Sequence, residues 1–390
     1  MANNLFTEVG CLSLNKFGEQ LCGDSVEAVE RDGASILVLA DGLGSGVKAS
    51  ILSTLTAKIL STMIAGGMPI EACIDTVAST LPVCSVRGIA YSTFTVVRIL
   101  DNRFAELIQF DNPAVIVLRD GLRYNYPVAT REVSGKLIHE SRFPVSENDV
   151  FIAMSDGAPY AGVGKALNYG WELNNIVDFA EANYHPGNSA KYIAANIIDE
   201  CNRLYGGEPG DDTTVAVLRV RARQSVNLVI GPPADPESDV RMMNLFFAKE
   251  GEKIVCGGTT ANIAARYLGK ELRPTLDYPD PEVPPISKLE GVDLVTEGVV
   301  TISKVLKLAE AFLDGRDTAA EWVSKRDGAS RIAQELFERA TDINFFVGRA
   351  INPAHQNPDL PIAFGIKIQL IDALSKCLEK MGKRIKVSYF

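Results

Sequence analysis

Several short apolar runs in this chain end on an aspartate or begin just after one. The segments ILVLADG and VFIAMSDG place Asp41 and Asp156 directly after such a run, Asp211 precedes TTVAVLRV, and Asp24 stands in GEQLCGDSV. Runs of this length and composition predict buried strands. A carboxylate beside a buried strand costs several kcal/mol unless something pairs with it. The four aspartates therefore predict one shared site built from distant parts of the sequence.

Each of these signals is weak alone, because an Asp-Gly pair is also what an ordinary turn requires. A plain turn role therefore stays open for Asp41 and for Asp156 taken singly. Together, the strand ends favour a convergent site with oxygen ligands, which suit Mg²⁺ or Mn²⁺, whereas zinc and iron favour thiolate and imidazole. Two such ions about 4 Å apart can activate a water and hold a phosphoryl group in line. That is the chemistry of a phosphate-ester hydrolase.

The order of the motifs resembles a known family, the metal-dependent Ser/Thr protein phosphatases (PPM), and specifically the bacterial branch that includes stage II sporulation protein E (SpoIIE). The matching segments are GEQLCGDS, ADGLGSGVKAS, YSTFTVVRILDNRFAELIQFDNPAVIVLRDG, FIAMSDG and GDDTTVAVL. They extend over about residues 8–220 in the family's order and strand context. The resemblance implies an α+β fold, a four-layer αββα sandwich of two mainly antiparallel sheets with a dinuclear Mn²⁺ or Mg²⁺ centre at one end.

The same resemblance implies a role for each residue of the site. Asp41 would bridge both ions, the backbone carbonyl of Gly42 would join one ion, and Asp156 and Asp211 would hold the other. Asp24 would act close by, directly or through bound water. These four aspartates are the expected catalytic residues, and with Gly42 they are the expected metal ligands. The implied reaction is attack of a metal-activated water on a phosphoserine or phosphothreonine of a protein, without a covalent phosphoenzyme.

Two features of the sequence differ from the eukaryotic members of that family. Those members have a histidine after the bridging Asp-Gly pair, where this chain has Leu43, and an arginine shortly before the first aspartate, where it has Glu19 and Gln20. Lys48 and the backbone N–H groups of residues 44–46, ahead of a predicted helix, are alternative candidates for gripping phosphate. Helix starts also collect such residues for their own capping, so a local role is the competing interpretation.

Composition narrows the function class. The chain has 390 residues, which predicts two domains, and 39 Lys and Arg against 49 Asp and Glu give a formal charge of -10. Without a basic footprint, we expect no nucleic-acid partner. We also expect a cytoplasmic protein without a membrane partner, because no continuous apolar run approaches about 18 residues and the start, MANNLFTEVG, lacks signal-peptide features. Seven cysteines without a CxxC pair argue against a disulfide framework and against a zinc site.

Near residues 221–225 the pattern changes to short strands alternating with helices. The predicted domains are a phosphatase domain over 1–222 and an α/β module over 226–390 with a regulatory or ligand-sensing role. Strands are predicted at 226–230, 253–256 and 292–296, a proline-rich crossing loop at 277–285 and a helix at 318–325.

Two turns make this module a candidate for binding a small molecule or an anion. The segment CGGTTANIAARYLG places Gly257 to Thr260 between a strand and a helix, and Thr296 to Gly298 form a similar turn. Backbone N–H groups in such turns can receive an anion. Simple N-capping by Thr259 or Thr260 is the more economical interpretation.

Three function classes remain open at this stage. The first is a Mn²⁺- or Mg²⁺-dependent protein phosphatase acting on a phosphorylated regulatory protein, which the resemblance suggests is an anti-sigma-factor antagonist. The second is a catalytically weak scaffold or sensor that binds phosphoproteins, which four mutually repelling carboxylates make less attractive. The third is a small-molecule phosphohydrolase that uses the same metals.

Overall fold

The chain divides into two compact units, Met1–Ala222 and Arg223–Phe390. The computed structural model describes residues 4–80, 92–275, 285–313, 325–350 and 363–390. The predicted loop 277–285 and the predicted helix 318–325 lie almost wholly outside the described residues.

Two antiparallel sheets form the centre of the first unit. The five-stranded sheet has the order β1-β11-β10-β6-β7 and the six-stranded sheet the order β2-β3-β4-β5-β9-β8. The strands are β1 (Leu5–Leu14), β2 (Asp24–Arg31), β3 (Ala34–Gly42), β4 (Ser92–Leu100), β5 (Phe104–Phe110), β6 (Ile116–Arg119), β7 (Leu122–Arg123), β8 (Ala129–Val133), β9 (Lys136–Pro144), β10 (Val150–Met154) and β11 (Thr213–Ala222). Every described pair of neighbouring strands in these two sheets runs antiparallel.

Alternation along the strands produces three apolar layers in this unit. Side chains such as Leu39 and Leu218 fill the layer between the two sheets. On the outer face of the six-stranded sheet, Val38 packs with helices α1 (Gly46–Ala65) and α2 (Ile70–Thr80). On the outer face of the five-stranded sheet, Ile152 packs with α3 (Leu173–Ala182) and α4 (Ala190–Tyr205). The expected α+β fold, a four-layer αββα sandwich, is therefore confirmed.

The second unit is built on one seven-stranded sheet with the order β14-β15-β16-β13-β12-β17-β18. Its strands are β12 (Ser225–Ile230), β13 (Glu252–Cys256), β14 (Arg273–Pro274), β15 (Ser287–Leu289), β16 (Val292–Thr296), β17 (Asp342–Val347) and β18 (Arg384–Tyr389). The strands β16, β13, β12, β17 and β18 are parallel, while β14 and β15 add an antiparallel edge. The module is therefore α/β, as the alternation of elements predicts.

Helices cover both faces of this sheet. They are α5 (Asp239–Phe247), α6 (Gly258–Leu268), α7 (Val299–Leu313), α8 (Gly328–Ala333, continued by a π-helical turn, Gln334–Arg339) and α9 (Ala363–Lys380). Residues of α5 and α6 pack with Val229 and Val255 on one face, whereas residues of α7, α8 and α9 pack with Leu228 and Ile254 on the other. Such a doubly wound sheet has a switch point where the strand order reverses, here between β12 and β17.

Some elements are not evident from the sequence pattern. The strand β8 lies at the edge of its sheet with β9 next to it, and many of their side chains are exposed and polar, so no continuous apolar run marks them. Residues 171–204, whose apolar spacing is helical, form two helices, because Ser189 caps a new start by accepting a hydrogen bond from the Tyr192 N–H.

Among the described helices, α1 is long and apolar enough to pass a length and composition test for a membrane span. Of its most apolar window, 44% is buried inside the unit, and core helices of soluble proteins pass the same test.

Candidate metal centre

Two of the predicted carboxylates lie opposite each other at one end of the six-stranded sheet. Asp24 begins β2, Asp41 lies at the end of β3, and the antiparallel register pairs them directly. The Ser92 hydroxyl donates to the backbone carbonyl of Asp41 at 2.9 Å, and the Gly42 N–H donates to the Gly23 carbonyl at 3.1 Å. These bonds hold the two strand ends together.

The other two carboxylates belong to the five-stranded sheet. Asp156 follows β10 and Asp211 precedes β11, and these strands pair antiparallel, so both aspartates lie at the same end. Beyond the last strand pair, the Ser155 N–H donates to the Thr214 carbonyl at 3.0 Å and the Thr214 N–H donates to the Ser155 hydroxyl oxygen at 2.9 Å. The connection carrying Asp156 is therefore fixed to the start of β11.

Ser155 also links the two sheets. Its hydroxyl donates to Asp24 Oδ2 at 2.7 Å across 131 positions of sequence. Both residues are buried, with Ser155 fully inaccessible and Asp24 8% exposed. The carboxylate of Asp24 is therefore oriented by the sheet that carries Asp156 and Asp211.

The electrostatics show that the carboxylates share one environment. Burial, followed by the charges of Asp24, Asp156, Asp211 and Asp212, raises the pKa of Asp41 to about 9. Burial also raises the pKa of Asp24 to about 6, although hydrogen bonds from the Ser155 and Thr214 hydroxyls oppose this rise. The pKa of Asp156 is raised by burial and by the charge of Asp211. The structure thus brings all four predicted aspartates together in a group that a cation would stabilise.

Both Asp-Gly pairs need their glycine for close backbone approach. A Cβ at Gly42 would collide with the carbonyl oxygen of Ala49 in α1, and a Cβ at Gly157 would collide with the carbonyl oxygen of Asp212. The ordinary turn interpretation is therefore incomplete, because these glycines also let a helix and a strand end pack against the carboxylates.

Asp212 adds a fifth carboxylate and an observation that bears on metal binding. It is 5% exposed, its Oδ1 accepts the Lys16 backbone N–H at 3.0 Å, and its buried Oδ2 has no hydrogen-bond partner among the described residues. A buried oxygen without a partner beside several other carboxylates is the donor set that a hard cation prefers. Within the described residues no three His, Cys, Asp or Glu side chains are already arranged around a single point.

Lys16 is a residue of this site that the sequence analysis missed. Its Nζ lies 3.6 Å from Asp211 Oδ1. Its loop is held in place by its own N–H bond to Asp212 and by a 2.8 Å bond from the Phe17 N–H to the Pro209 carbonyl. One signal was available, because Lys16 is the only Lys or Arg in residues 1–30.

The predicted phosphate grip by the backbone groups of residues 44–46, at the start of α1, stays a prediction and would have to compete with Glu19. The Ser45 hydroxyl donates to Glu19 Oε1 at 3.1 Å, and a Cβ at Gly46 would lie 2.8 Å from Glu19 Oε2. A carboxylate of the chain itself therefore lies at this helix N-terminus, where it is favoured by the helix dipole. Lys48 is exposed on the first turn of α1.

A family model described as stage II sporulation protein E (SpoIIE) matches residues 31–221. The first unit belongs to the SpoIIE family. The matched range includes Asp41, Asp156 and Asp211, whereas Asp24 and Lys16 precede it. The match confirms the resemblance of this unit to the SpoIIE-like branch of the PPM family, and we call it the SpoIIE unit below.

Several solved structures have a similar fold. The PP2C phosphatase domain of SpoIIE from Bacillus subtilis, solved with a fragment of its regulatory domain, is 21% identical over 56% of this chain and 64% of that chain, with a TM-score of 0.48. RsbX in complex with magnesium is 19% identical over 55% of this chain and 95% of that chain, with a TM-score of 0.40. The RsbU and RsbW domains of a Mycobacterium tuberculosis protein are 17% identical over 62% of this chain and 68% of that chain, with a TM-score of 0.45.

The alignment spans less than two thirds of the first of these structures. At such identities and TM-scores we draw nothing finer than a shared fold from the likeness. Comparison with curated proteins gave no match.

Proposed function

We propose that the SpoIIE unit hydrolyses phosphoserine or phosphothreonine in a regulatory protein with the help of two divalent cations, Mn²⁺ or Mg²⁺. The observation that carries this proposal is the group of carboxylates around Asp41, whose pKa is raised to about 9 by burial and by four neighbouring charges. Asp41 and the Gly42 carbonyl would hold one ion, Asp41, Asp156 and Asp211 the other, and Asp24 would contribute directly or through water. When bound, such ions supply Lewis-acid activation of water and neutralise charge on the phosphoryl group.

The residues of the chain have separate tasks in this proposal. Ser155 orients Asp24 through their 2.7 Å hydrogen bond. Lys16, whose Nζ is 3.6 Å from Asp211 Oδ1, is the cation best positioned to contact a phosphate oxygen once Asp211 is engaged by metal. We propose Lys16 for the task that arginine performs in the eukaryotic relatives.

The substrate and the setting are also proposals. We infer a phosphorylated regulatory protein of the cytoplasm, such as an anti-sigma-factor antagonist, from membership in the SpoIIE family. The second unit would regulate the phosphatase or sense a ligand. A catalytically weak phosphoprotein-binding scaffold and a small-molecule phosphohydrolase are the competing functions, and they differ from the proposal in measurable activity.

The test is hydrolysis of para-nitrophenyl phosphate by the full chain with Mn²⁺ or Mg²⁺, compared with an EDTA-treated sample. Asp41→Asn and Asp156→Asn should each lower kcat/KM by at least about 100-fold, because each removes a proposed ligand. Asp32→Asn is the matched control, since Asp32 is an exposed carboxylate in the β2–β3 turn.

Substrate class is decided by a second comparison. A panel of phosphoproteins measured beside small phosphate esters should show higher kcat/KM for the phosphoproteins. Metal-dependent activity confined to small esters would support the small-molecule phosphohydrolase. Tight phosphoprotein binding without metal-dependent turnover would support the scaffold.

A further inference from the structure

The carboxyl ends of the parallel strands in the second unit form an edge with an unusual set of polar groups. From β16 through β13 and β12 to β17, this edge includes the turns that follow Thr296, Cys256, Ile230 and Val347. In open α/β sheets, ligands bind at this edge, in the crevice at the switch point of the strand order. The switch point here lies between β12 and β17, whose following helices α5 and α9 pack on opposite faces.

A lysine lies at this switch point. A Cβ at Gly231, directly after β12, would collide with Lys367 Nζ from α9, so the ammonium group rests against the end of that strand. A Cβ at Gly348, directly after β17, would collide with the carbonyl oxygens of Gly231 and Pro232. Lys367 therefore takes the space that a side chain at position 231 would fill, whereas Gly348 lets the two strand ends pack closely.

No carboxylate among the described residues neutralises Lys367. Its Nζ donates a long hydrogen bond of 3.5 Å to the Ala350 carbonyl oxygen. Burial lowers the pKa of Lys367, with no neighbouring charge acting against that effect. A half-buried ammonium that has no counter-ion among the described residues is costly, and an anionic ligand would offset that cost.

A second set of groups along the same edge points independently to a ligand. Thr260 and Thr301 occupy the third position of α6 and of α7, counted from the first residue of each helix. Both are almost fully buried, at 1% and 0% exposure, and neither hydroxyl has a hydrogen-bond partner among the described residues. Thr260 Oγ1 lies 3.4 Å from the position that a Cβ on Gly257 would take. It therefore faces the turn that ends β13.

The structure shows no cap by Thr259 or Thr260 on α6, which the sequence analysis gave as the more economical interpretation. The N-cap of α6 is Gly257, with φ +106°, and no side chain caps it. The two turns are in direct contact, since the Gly257 N–H donates to the Thr296 carbonyl at 2.8 Å. A buried hydroxyl without a partner is costly, so two of them beside one edge mark a place where a bound molecule would be stabilised.

We propose that the edge at the carboxyl ends of β12 and β17 binds a small organic anion, with Lys367 contacting its phosphate or carboxylate group. The body of the ligand extends along the edge toward β13, where the Thr260 hydroxyl lies. Gly257 and Gly348 follow strands two positions apart, which corresponds to about 10 Å, the span of a metabolite-sized molecule. This site is independent of the chemistry proposed for the SpoIIE unit.

The test uses the full chain in EDTA, with inorganic phosphate, pyrophosphate and citrate as probes, measured by calorimetric titration and by thermal unfolding. At least one probe should bind, and Lys367→Met should weaken its binding by about tenfold or more. Lys376→Met, an exposed position of the same helix, should leave binding unchanged. Binding that requires added metal would belong to the SpoIIE unit and would overturn the proposal, as would an absence of binding to all three anions.

Stability without ligand separates a binding role from a structural one. Methionine keeps the length of the side chain and removes the unneutralised charge, so Lys367→Met should unfold at the same temperature as the parent or higher when no anion is present. A lower unfolding temperature would mean that Lys367 mainly stabilises the carbonyl groups around it, and it would overturn the proposal. Lys367→Arg, which keeps the charge, should retain part of the anion affinity.

Discussion

The Ser155 hydroxyl donates to Asp24 Oδ2 at 2.7 Å and thereby joins the two sheets of the SpoIIE unit at the carboxylate cluster. The Ser155 hydroxyl oxygen also accepts a hydrogen bond from the Thr214 N–H at 2.9 Å. One buried side chain therefore fixes a strand start and a candidate ligand together. We expect this arrangement to matter for stability and for metal affinity alike.

Replacing Ser155 by alanine tests that arrangement. Ser155→Ala removes both hydrogen bonds and leaves the Thr214 N–H and Asp24 without them, so the free energy of unfolding should fall by about 1–3 kcal/mol. The measurement is urea unfolding, accompanied by titration with Mn²⁺, whose affinity should also decrease. Ser79→Ala, at an exposed position in the last turn of α2, should change stability by no more than about 0.5 kcal/mol. Equal stability of the Ser155 and Ser79 variants would show that the buried bonds contribute nothing.

The raised pKa values of Asp24 and Asp41 predict how stability without metal depends on pH. Because the native state holds protons on these carboxylates that the unfolded state releases at about pH 4, their contribution to stability is greatest below that pH. It is lost as pH rises through the folded pKa values of about 6 and about 9. In EDTA, the unfolding temperature should therefore fall between pH 6 and pH 9.

Two controls belong to this pH prediction. Asp41→Asn removes the carboxyl group whose pKa is most strongly shifted. The loss of unfolding free energy over this pH range should therefore be smaller than in the parent by about 1 kcal/mol or more, which corresponds to about 2–4 °C in unfolding temperature for a unit of this size. Saturating Mn²⁺ should flatten the profile of the parent protein, since metal holds the carboxylates ionised. A profile that is the same in the parent, in the variant and with Mn²⁺ would contradict the shared site.

Lys16 and Lys48 are rival phosphate contacts, and one pair of variants separates them. Lys16→Met should raise KM for a phosphorylated substrate and Ki for inorganic phosphate by about tenfold, because a charged contact is lost. Mn²⁺ affinity should stay equal or increase, since Lys16 no longer pairs with Asp211. Lys48→Met should change neither constant. The reverse pattern would assign the contact to Lys48.

Gly157 provides a steric test at the site. Its Cβ in a Gly157→Ala variant would collide with the Asp212 carbonyl oxygen, so we expect destabilisation of about 1–3 kcal/mol together with loss of activity. Gly210→Ala is the matched control, because its Cβ would lie 3.5 Å from Tyr205 Cε1, an ordinary contact. Thermal unfolding of both variants measures the difference. An equally stable Gly157→Ala protein would mean that the strand end moves freely.

Much of the fold was predictable because its elements carry local signals. Periodic apolar runs marked strands such as β3, β10 and β11, and polar turns marked their ends. The strands β8 and β9 lacked that signal, because an exposed edge needs no apolar run. The split between α3 and α4 was likewise hidden, since it depends on the local cap formed by Ser189.

By itself, the sequence determined which strands end on a carboxylate and which turns contain glycine, since these properties depend on neighbours along the chain. Only the tertiary structure decided which side chains come together at those strand ends and turns. It placed Lys16 beside Asp211, Ser155 against Asp24, Glu19 at the start of α1, and Lys367 over Gly231. The physical reason is that these contacts join residues from 26 to 195 positions apart, and no periodic pattern records which side chains two packed layers bring within a few ångströms.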